Sequence, residues 1–100
     1  MIFYIAGPMS GLPGFNREAF MEAARLIRQK GHEVINPALL PATLPDSRYM
    51  PICTAMIDAA DAVYMLEGWQ QSLGARTERL YAKRQGKAVM LQLPGEEGRT

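Results

Sequence analysis

The stretch "IFYIAGPMSG", residues 2–11, decides the fold. Its first half, residues 2–6, is a continuous apolar run rich in β-forming side chains, and Gly7 and Pro8 end it at once. Such a run is typical of a strand that is buried on both faces, as in a parallel sheet. Three glycines and two prolines in residues 7–15 then indicate a turn-rich loop.

Outward from this stretch, strand-like and helix-like patterns alternate along the chain. Further strands are predicted at 32–37, 62–66 and 87–93, and helices at 17–30, about 48–59 and 74–85. This alternation predicts an α/β fold of three layers, with a four- to five-stranded parallel sheet in the order 2-1-3-4. The length of 100 residues suits one domain, predicted over 1–93, with 94–100 as a C-terminal tail.

Two local features qualify this outline. Asn16 precedes the first helix and is predicted to cap it, because asparagine is a preferred N-cap residue. Residues 37–51 carry four prolines and are predicted to be irregular. Segments of this length within a domain usually form lids or contact surfaces.

Composition excludes several classes of function. The net charge is +1 and no run of Lys and Arg appears, so a nucleic-acid or membrane-surface partner has no electrostatic support. One cysteine, Cys53, and one histidine, His32, do not make a zinc site or an internal disulfide. No apolar stretch approaches the roughly 20 residues that span a bilayer, and no signal-peptide pattern is present. We therefore expect a cytoplasmic protein with no metal site.

Ligands of doubly wound folds bind beyond the carboxyl ends of the strands, where the strand order reverses. With the order 2-1-3-4, this point lies between the loops after the first and third strands. The first loop, Gly7-Pro8-Met9-Ser10-Gly11, matches neither a Walker A motif nor a dinucleotide-binding motif. Its backbone N–H groups and the Ser10 hydroxyl suit an anion, and the alternative is a tight turn that only needs glycine.

The second loop leads to Glu78, the only acidic side chain in "GWQQSLGARTERLYA", residues 68–82. Gly74 lies one helical turn before Glu78 on the same face, which leaves room for a ligand to approach the carboxylate. Ser72 is placed to cap the helix or to bind a phosphate. The alternative for Glu78 is an ordinary solvated glutamate, although no Lys or Arg stands four residues away to pair with it.

Three other side chains have both an ordinary and a functional interpretation. Tyr4 lies inside the first predicted strand and is a core tyrosine unless its hydroxyl serves the crevice. Trp69 is a candidate ligand platform or a subunit contact. Cys53, on a helix that faces the sheet, is most simply a small core residue.

The segments "FYIAGPMSG", "DAADAVYMLEGW" and "SLGARTERLYAKRQGKAV" resemble the nucleoside 2′-deoxyribosyltransferase-like superfamily, and in particular its small phage and prophage branch. The resemblance spans about residues 2–92. It implies a flavodoxin-like (Rossmann-like) fold and cleavage of the N-glycosidic bond of nucleosides or their 5′-monophosphates, by hydrolysis or base exchange. Glu78 would be the nucleophile, as in retaining glycosidases, and Tyr4 would orient it. No cofactor is implied.

The segment Ser72-Leu73-Gly74, with Glu78 four residues further on, is similar to the 2′-deoxynucleoside 5′-monophosphate N-hydrolases of that superfamily. By this likeness Ser72 would bind the 5′-phosphate, and Ser10 would be a second contact. The transferases carry an aspartate in place of Ser72, and its charge would repel a phosphate.

The sequence departs from the family pattern at two positions. Cys53 stands where the family has an aspartate that handles the leaving base, eight residues before Asp61, and Arg76 stands where better-characterised members have a small residue. The leading hypothesis is an N-glycosidase or deoxyribosyltransferase-like enzyme, and the alternative is a nucleotide-binding protein without catalysis. The resemblance also implies a homodimer or larger homo-oligomer, with 37–51 and Trp69 as contact surfaces.

Overall fold

Four short strands form one parallel sheet in the order β2-β1-β3-β4. The computed structural model describes residues 1–93, so the predicted tail at 94–100 lies outside the described residues. The strands are β1 (Ile2–Ala6), β2 (Glu33–Ile35), β3 (Ala62–Met65) and β4 (Ala88–Leu91). Three helices connect them: α1 (Arg17–Gln29), α2 (Asp46–Ala59) and α3 (Leu73–Arg84). The predicted fold class and strand order are confirmed, with four strands in the sheet.

The parallel register brings the carboxyl ends of the two central strands side by side. Tyr4 of β1 is paired with Ile35 of β2 on one side and with Val63 of β3 on the other. At the ends of the strands Ala6 is paired with Met65, so the loops that leave β1 and β3 start next to each other. The ligand-binding edge of this fold is therefore formed by the two loops that the sequence singles out.

The apolar side chains form one core layer on each face of the sheet. Helix α1 packs on one face, where Phe20, Ala24 and Ile27 meet Phe3 and Ile5 of β1. Helices α2 and α3 pack on the other face. Their layer comprises Tyr4, Ala6, Val63, Met65, Cys53, Ile57, Ala75 and Ala82. Alternate residues of a strand point to opposite faces of a sheet. Tyr4 points to the face on which α3 packs, and α3 carries Glu78.

The ends of the helices differ from the predictions in two places. Asn16 does not cap α1 with its side chain; it has the left-handed backbone angle φ 60° and donates through Nδ2 to the Pro8 carbonyl at 2.9 Å. Helix α2 begins at Asp46, earlier than predicted, and contains Pro51. Proline removes one backbone N–H donor within this helix. The segment predicted to be irregular therefore contains a short 3₁₀ turn, Pro37–Leu39, and the first part of α2.

Strand β4 forms one edge of the sheet and is apolar on both faces. Met90 and Leu91 are about half exposed. Within residues 1–93, no helix has the length and apolar character that crossing a membrane requires.

Candidate functional site

The loop after β1 lies directly against the end of β3. Gly7 allows this approach, because a Cβ atom at position 7 would stand 2.8 Å from Cβ of Leu66. The Leu66 N–H donates to the Ala6 carbonyl at 2.8 Å and continues the pairing of the strands beyond Met65. The bond from Asn16 to Pro8 fixes the far side of the loop. The glycine is thus required by close backbone packing.

A cavity of about 580 Å³ opens between this loop, α2 and the start of α3. Its volume falls within the range of small-molecule sites. Glu78 and the hydroxyl groups of Tyr4, Ser10, Ser72 and Thr77 lie in its wall. Apolar and aromatic side chains contribute the rest, chiefly Met9, Phe15, Phe20, Leu40, Leu44, Tyr49 and Met50. The cavity therefore combines hydrogen-bonding groups with a large apolar surface.

Tyr4 and Glu78 form a hydrogen-bonded pair in the wall of this cavity. The Tyr4 hydroxyl donates to Oε2 of Glu78 at 2.8 Å, across 74 positions of sequence. Tyr4 is completely buried. Burial, and then the neighbouring Glu78 charge, raise the pKa of Tyr4 well above its ordinary value. Tyr4 therefore keeps its proton at neutral pH and acts as a fixed donor to the carboxylate.

Burial raises the pKa of Glu78 to about 7, although hydrogen bonds with Tyr4 and Cys53 act in the opposite direction. Removal from water disfavours the charged carboxylate, and the two donors offset only part of this penalty. At neutral pH Glu78 thus populates both its protonated and its ionised form. A carboxyl group tuned in this way is typical of functional sites.

Cys53 lies behind the pair, beneath the cavity wall. Its side chain is completely buried and forms no disulfide. Burial, as the largest cause, raises the pKa of the Cys53 thiol to about 11, so the thiol is neutral at physiological pH. It lies beside Tyr4 and Glu78 as a packed neutral neighbour and does not line the cavity.

The first turn of α3 forms part of the cavity wall, through Leu73, Gly74 and Ala75. Oγ of Ser72 accepts from the Ala75 N–H at 3.1 Å, so Ser72 is the N-cap residue of this helix. The N–H groups of Leu73 and Gly74 belong to the first turn, in which backbone donors have no partner within the helix. A Cβ atom at Gly74 would meet only Ser72 Oγ, at 3.9 Å, which leaves open space above this turn. A helix N-terminus of this kind favours an anionic group.

Two charged side chains in the wall were not predicted from the sequence. Arg17 begins α1, and its Nε donates to the Ala38 carbonyl at 3.1 Å. Asp46 begins α2. Both follow loops that lead to the ligand-binding edge, and this position is the signal that would have identified them. The wall therefore has one guanidinium and, besides Glu78, one further carboxyl group.

Tyr49 and Phe15 are the principal aromatic residues that the sequence reasoning missed. The Tyr49 hydroxyl donates to the Pro37 carbonyl at 3.1 Å and fixes α2 against the segment after β2. Phe15 is 45% exposed at the cavity wall and has the left-handed angle φ 55°. A non-glycine residue with positive φ is uncommon and marks local strain that the surrounding loop must hold.

The structure brings most of the predicted site residues to this cavity. Its wall includes Tyr4, Gly7, Pro8, Met9, Ser10, Ser72, Gly74 and Glu78. Gly11 and Arg76 do not line it. Trp69 also lies outside it, half-buried at the start of a 3₁₀ turn with the Arg79 guanidinium 5.0 Å above its ring. The wall therefore includes fewer residues of the first loop than predicted. It also includes residues of α1 and α2 that were not predicted.

A second, shallower depression of about 1090 Å³ runs along the outside of α1. Every residue in its wall belongs to that one helix, so no second element contributes a side chain to it. Within residues 1–93, no three side chains of His, Cys, Asp or Glu are grouped as metal ligands. The cavity at Glu78 is the place where several elements converge.

Comparison with known proteins identifies a family. The model of the family described as "Domain of unknown function (DUF4406)" matches residues 1–91, which include every strand, every helix and the whole cavity wall described above. No curated protein and no solved structure matches the chain.

Proposed function

Because the chain belongs to the DUF4406 family, we propose its function from the chemistry of its cavity: cleavage of the N-glycosidic bond of a nucleoside or nucleoside 5′-monophosphate. The observation that carries this proposal is the buried pair of Tyr4 and Glu78 in a cavity at the carboxyl edge of the sheet. A carboxyl group held by a neutral donor suits attack on an electron-deficient sugar carbon. The resemblance to deoxyribosyltransferase-like proteins supports the same reaction.

In this reaction the ionised Glu78 forms a bond to C1′ of the sugar while the bond between C1′ and the base nitrogen breaks. The leaving base takes the bonding electron pair and accepts a proton. Water, or a second base, then attacks C1′ and releases Glu78 as a carboxylate. Tyr4 donates to Oε2 of Glu78 from a completely buried side chain and so orients the carboxylate for both steps.

The leaving base needs a proton donor, and Cys53 does not fit this task. Its thiol has a pKa of about 11 and is sealed beneath the wall. Asp46 is the other acidic residue in the cavity wall of the described chain, and we assign to it a hydrogen bond that orients the leaving base, while solvent supplies the proton. An Asp46→Asn variant should release purine or pyrimidine more slowly.

Three groups support a phosphorylated substrate. The first turn of α3 offers free N–H groups, Ser10 offers a hydroxyl, and Arg17 offers a guanidinium that no acidic side chain pairs within residues 1–93. A guanidinium and a helix N-terminus both stabilise a phosphate. The apolar side chains opposite them suit a planar base. A nucleoside 5′-monophosphate has both of these chemical ends.

The test is release of free base from a panel of nucleosides and 5′-monophosphates, measured by liquid chromatography. We expect release with the wild-type protein, loss of at least about a hundredfold with Glu78→Gln, and a smaller loss with Tyr4→Phe. Glu18→Gln is the matched control, since Glu18 is an exposed glutamate in the first turn of α1 and does not line the cavity. Equal release by the wild-type protein and Glu78→Gln would contradict the assignment.

The second candidate is a nucleotide-binding protein without turnover, and Cys53 favours it. A neutral buried thiol at this place leaves Glu78 without the second carboxyl group that the resemblance leads us to expect. Ligand-dependent thermal stabilisation separates the two candidates. A rise in melting temperature with 5′-monophosphates and no base release supports the binding protein, because a ligand that binds only the folded state stabilises it.

A further inference from the structure

Asn36 follows β2 directly and is a buried polar residue, with 4% of its surface exposed. A buried amide needs hydrogen-bond partners, because an unpaired polar group away from water is costly. Oδ1 of Asn36 accepts from the Ala38 N–H at 2.9 Å, and its Nδ2 donates to Sδ of Met21 at 3.4 Å. Both ends of the amide are therefore used inside the protein, and Asn36 does not line the cavity.

The bonds of Asn36 shape the 3₁₀ turn Pro37–Leu39. An asparagine side chain that accepts from the N–H two residues further on is a recurrent way to close a turn. The Leu39 N–H also donates to the Asn36 carbonyl, at 3.2 Å. Tyr49 of α2 binds the same turn, because its hydroxyl donates to the Pro37 carbonyl. The turn is thus fixed at the carboxyl end of β2 by its own asparagine and by a neighbouring helix.

The carbonyl group of Ala38, within this turn, holds the side chain of Arg17. It accepts from Nε of Arg17 at 3.1 Å. Ala38 itself is 1% exposed, so packing sets the position of the turn at this point. The bond uses the Nε donor and leaves both Nη groups of the guanidinium, which together can bind two oxygens of a phosphate. Since Arg17 lies in the cavity wall, the turn determines which edge of its guanidinium is available to a ligand.

The bond to Ala38 also reduces the freedom of the Arg17 side chain before a ligand arrives. Arg17 is exposed, so its guanidinium would otherwise rotate in solvent. A long side chain that becomes ordered only on binding lowers the affinity for its ligand by roughly two- to tenfold. An arginine that is already held in place avoids part of this loss.

We propose that Asn36 is a positioning residue for phosphate recognition. Through the turn Pro37–Leu39 it holds Arg17 so that the two Nη groups meet the phosphate of a nucleoside 5′-monophosphate. This inference rests on the proposed substrate and adds a residue that does not touch it. Glu78 takes no part in these contacts, so the preference for a phosphate and the cleavage of the glycosidic bond can be measured separately.

A residue that only stabilised the fold would behave differently. Its replacement would change the affinities for a nucleoside and for the corresponding 5′-monophosphate by the same factor. Replacement of a residue that positions Arg17 lowers the affinity for the phosphorylated ligand alone. The ratio of the two affinities therefore distinguishes the two roles.

Calorimetric titration with 2′-deoxyadenosine, 2′-deoxycytidine and their 5′-monophosphates measures this ratio, in proteins that also carry Glu78→Gln so that no ligand is consumed. We expect the preference for the monophosphate to fall about fivefold with Asn36→Ala and at least about tenfold with Arg17→Ala. Asn36→Ser should recover part of the preference, because a serine hydroxyl closes the same turn more weakly. Arg28→Ala is the matched control, since Arg28 also belongs to α1 but does not line the cavity.

The double variant tests whether Asn36 acts through Arg17. In the Arg17→Ala protein, Asn36→Ala should not change the ratio further, since the group that it positions is gone. A full additional loss overturns the proposal, and so does a parent protein that binds the monophosphates no more tightly than the nucleosides. If the ratio depends on Asn36 but the protein with Glu78 releases no base, the proposed reaction fails and the phosphate site remains. If base is released and the ratio does not depend on Asn36, the reaction stands and this inference fails.

A measurement without ligand covers the case in which Asn36→Ala does not fold. The heteronuclear NOE of the Arg17 Nε–Hε group reports its motion on the picosecond to nanosecond timescale. We expect the value of an ordered group in the wild-type protein and a lower value in Asn36→Ser. Arg17→Lys, which has no such group, identifies the signal. Equal values in the wild type and Asn36→Ser overturn the proposal.

Discussion

At the scale of single residues, the proposed chemistry of this protein depends on Glu78. The carboxyl group lies in a cavity wall, receives a hydrogen bond from a buried tyrosine, and has its pKa raised to about 7 by burial. The same glutamate on an open helix would be ionised throughout the physiological range. Its surroundings therefore make its charge sensitive to small changes of pH near neutrality.

The first prediction concerns the pH dependence of base release. Because the nucleophile must be ionised, we expect kcat/KM to rise with pH through a midpoint near 7 and to level off about one pH unit higher. In Tyr4→Phe the carboxylate loses a donor that favours its charged form, so the midpoint should move to higher pH. The measurement is kcat/KM from pH 5 to pH 9 with a nucleoside substrate, whose sugar and base do not titrate in the middle of this range. A value of kcat/KM that stays constant from pH 5 to pH 9 in both proteins would contradict the raised pKa of Glu78.

The second prediction concerns stability. The folded-state pKa of Glu78 is about 7 and its ordinary value is 4.5, so the folded protein holds this proton more tightly than the unfolded chain. The associated stability is fully present below pH 4.5 and is lost as the pH rises through 7. Glutamine does not titrate and still accepts a hydrogen bond from Tyr4. Glu78→Gln should therefore be more stable than the wild type at pH 8.5. The difference in unfolding free energy between the two proteins should favour Glu78→Gln by up to roughly 3 kcal/mol more at pH 8.5 than at pH 5.

Urea denaturation of both proteins at the two pH values measures this difference. Glu18→Gln, at an exposed glutamate of α1, should show no comparable change between pH 5 and pH 8.5. If the Glu78→Gln increment is the same at both values, Glu78 is ionised in the folded state over the whole range, and the burial argument fails.

At the scale of elements, the start of α3 has two tasks. Ser72 caps the helix through its hydroxyl, and the first turn that it caps lines the cavity. The first N–H groups of any α-helix have no partner within the helix. In α3 the Ser72 cap satisfies one of them, and the others are available to a ligand. Capping and anion binding can be separated by substitution.

The third prediction makes this separation. Ser72→Ala should lower the free energy of unfolding by about 1 kcal/mol, because it removes the cap. Ser72→Asp should keep most of the stability, since aspartate is also a preferred N-cap residue, but its charge should weaken binding of a 5′-monophosphate at least about tenfold relative to the parent nucleoside. Calorimetric titration with both ligands measures the ratio. An unchanged ratio would mean that the phosphate does not lie at this helix.

At the scale of the whole molecule, one four-stranded sheet carries a core layer on each of its faces. Ile5 of β1 belongs to the layer beneath α1, and Ile57 of α2 belongs to the layer on the opposite side. Both side chains are almost completely buried. Because β1, β2 and β3 each have residues in both layers, neither layer can be lost while the other stays intact.

The fourth prediction follows from this shared support. Ile5→Val and Ile57→Val each remove one buried methylene and should each lower the free energy of unfolding by about 1 kcal/mol. Unfolding should remain a single transition in both variants, with coincident circular dichroism and tryptophan fluorescence curves. The double variant should show the sum to within about 0.5 kcal/mol, since the two sites lie in separate layers. A second transition in either variant would mean that one layer unfolds on its own.

The sequence alone was sufficient for the outline of the fold. Short apolar runs bounded by glycine and proline located β1 and β3, and helical spacing located α1 and α3 to within about two residues. These patterns are local, because they express the period of a strand or helix with a buried face. The prediction of an Asn16 cap was wrong, because the tight loop after β1 holds Asn16 in a left-handed conformation and uses its side chain to bind Pro8.

The tertiary structure decided which side chains meet. Tyr4 and Glu78 are 74 positions apart, and only the packing of α3 on one face of the sheet brings the hydroxyl to the carboxylate. The packing of α2 on the same face buries Cys53 beneath the wall, and the first residues of α1 and α2 place Arg17 and Asp46 in it. Contacts of this kind depend on the relative positions of elements, which local periodicity does not encode. The sequence determined the elements and the edge of the sheet at which ligands of doubly wound folds bind, and the tertiary structure determined the environment that raises the pKa of Glu78.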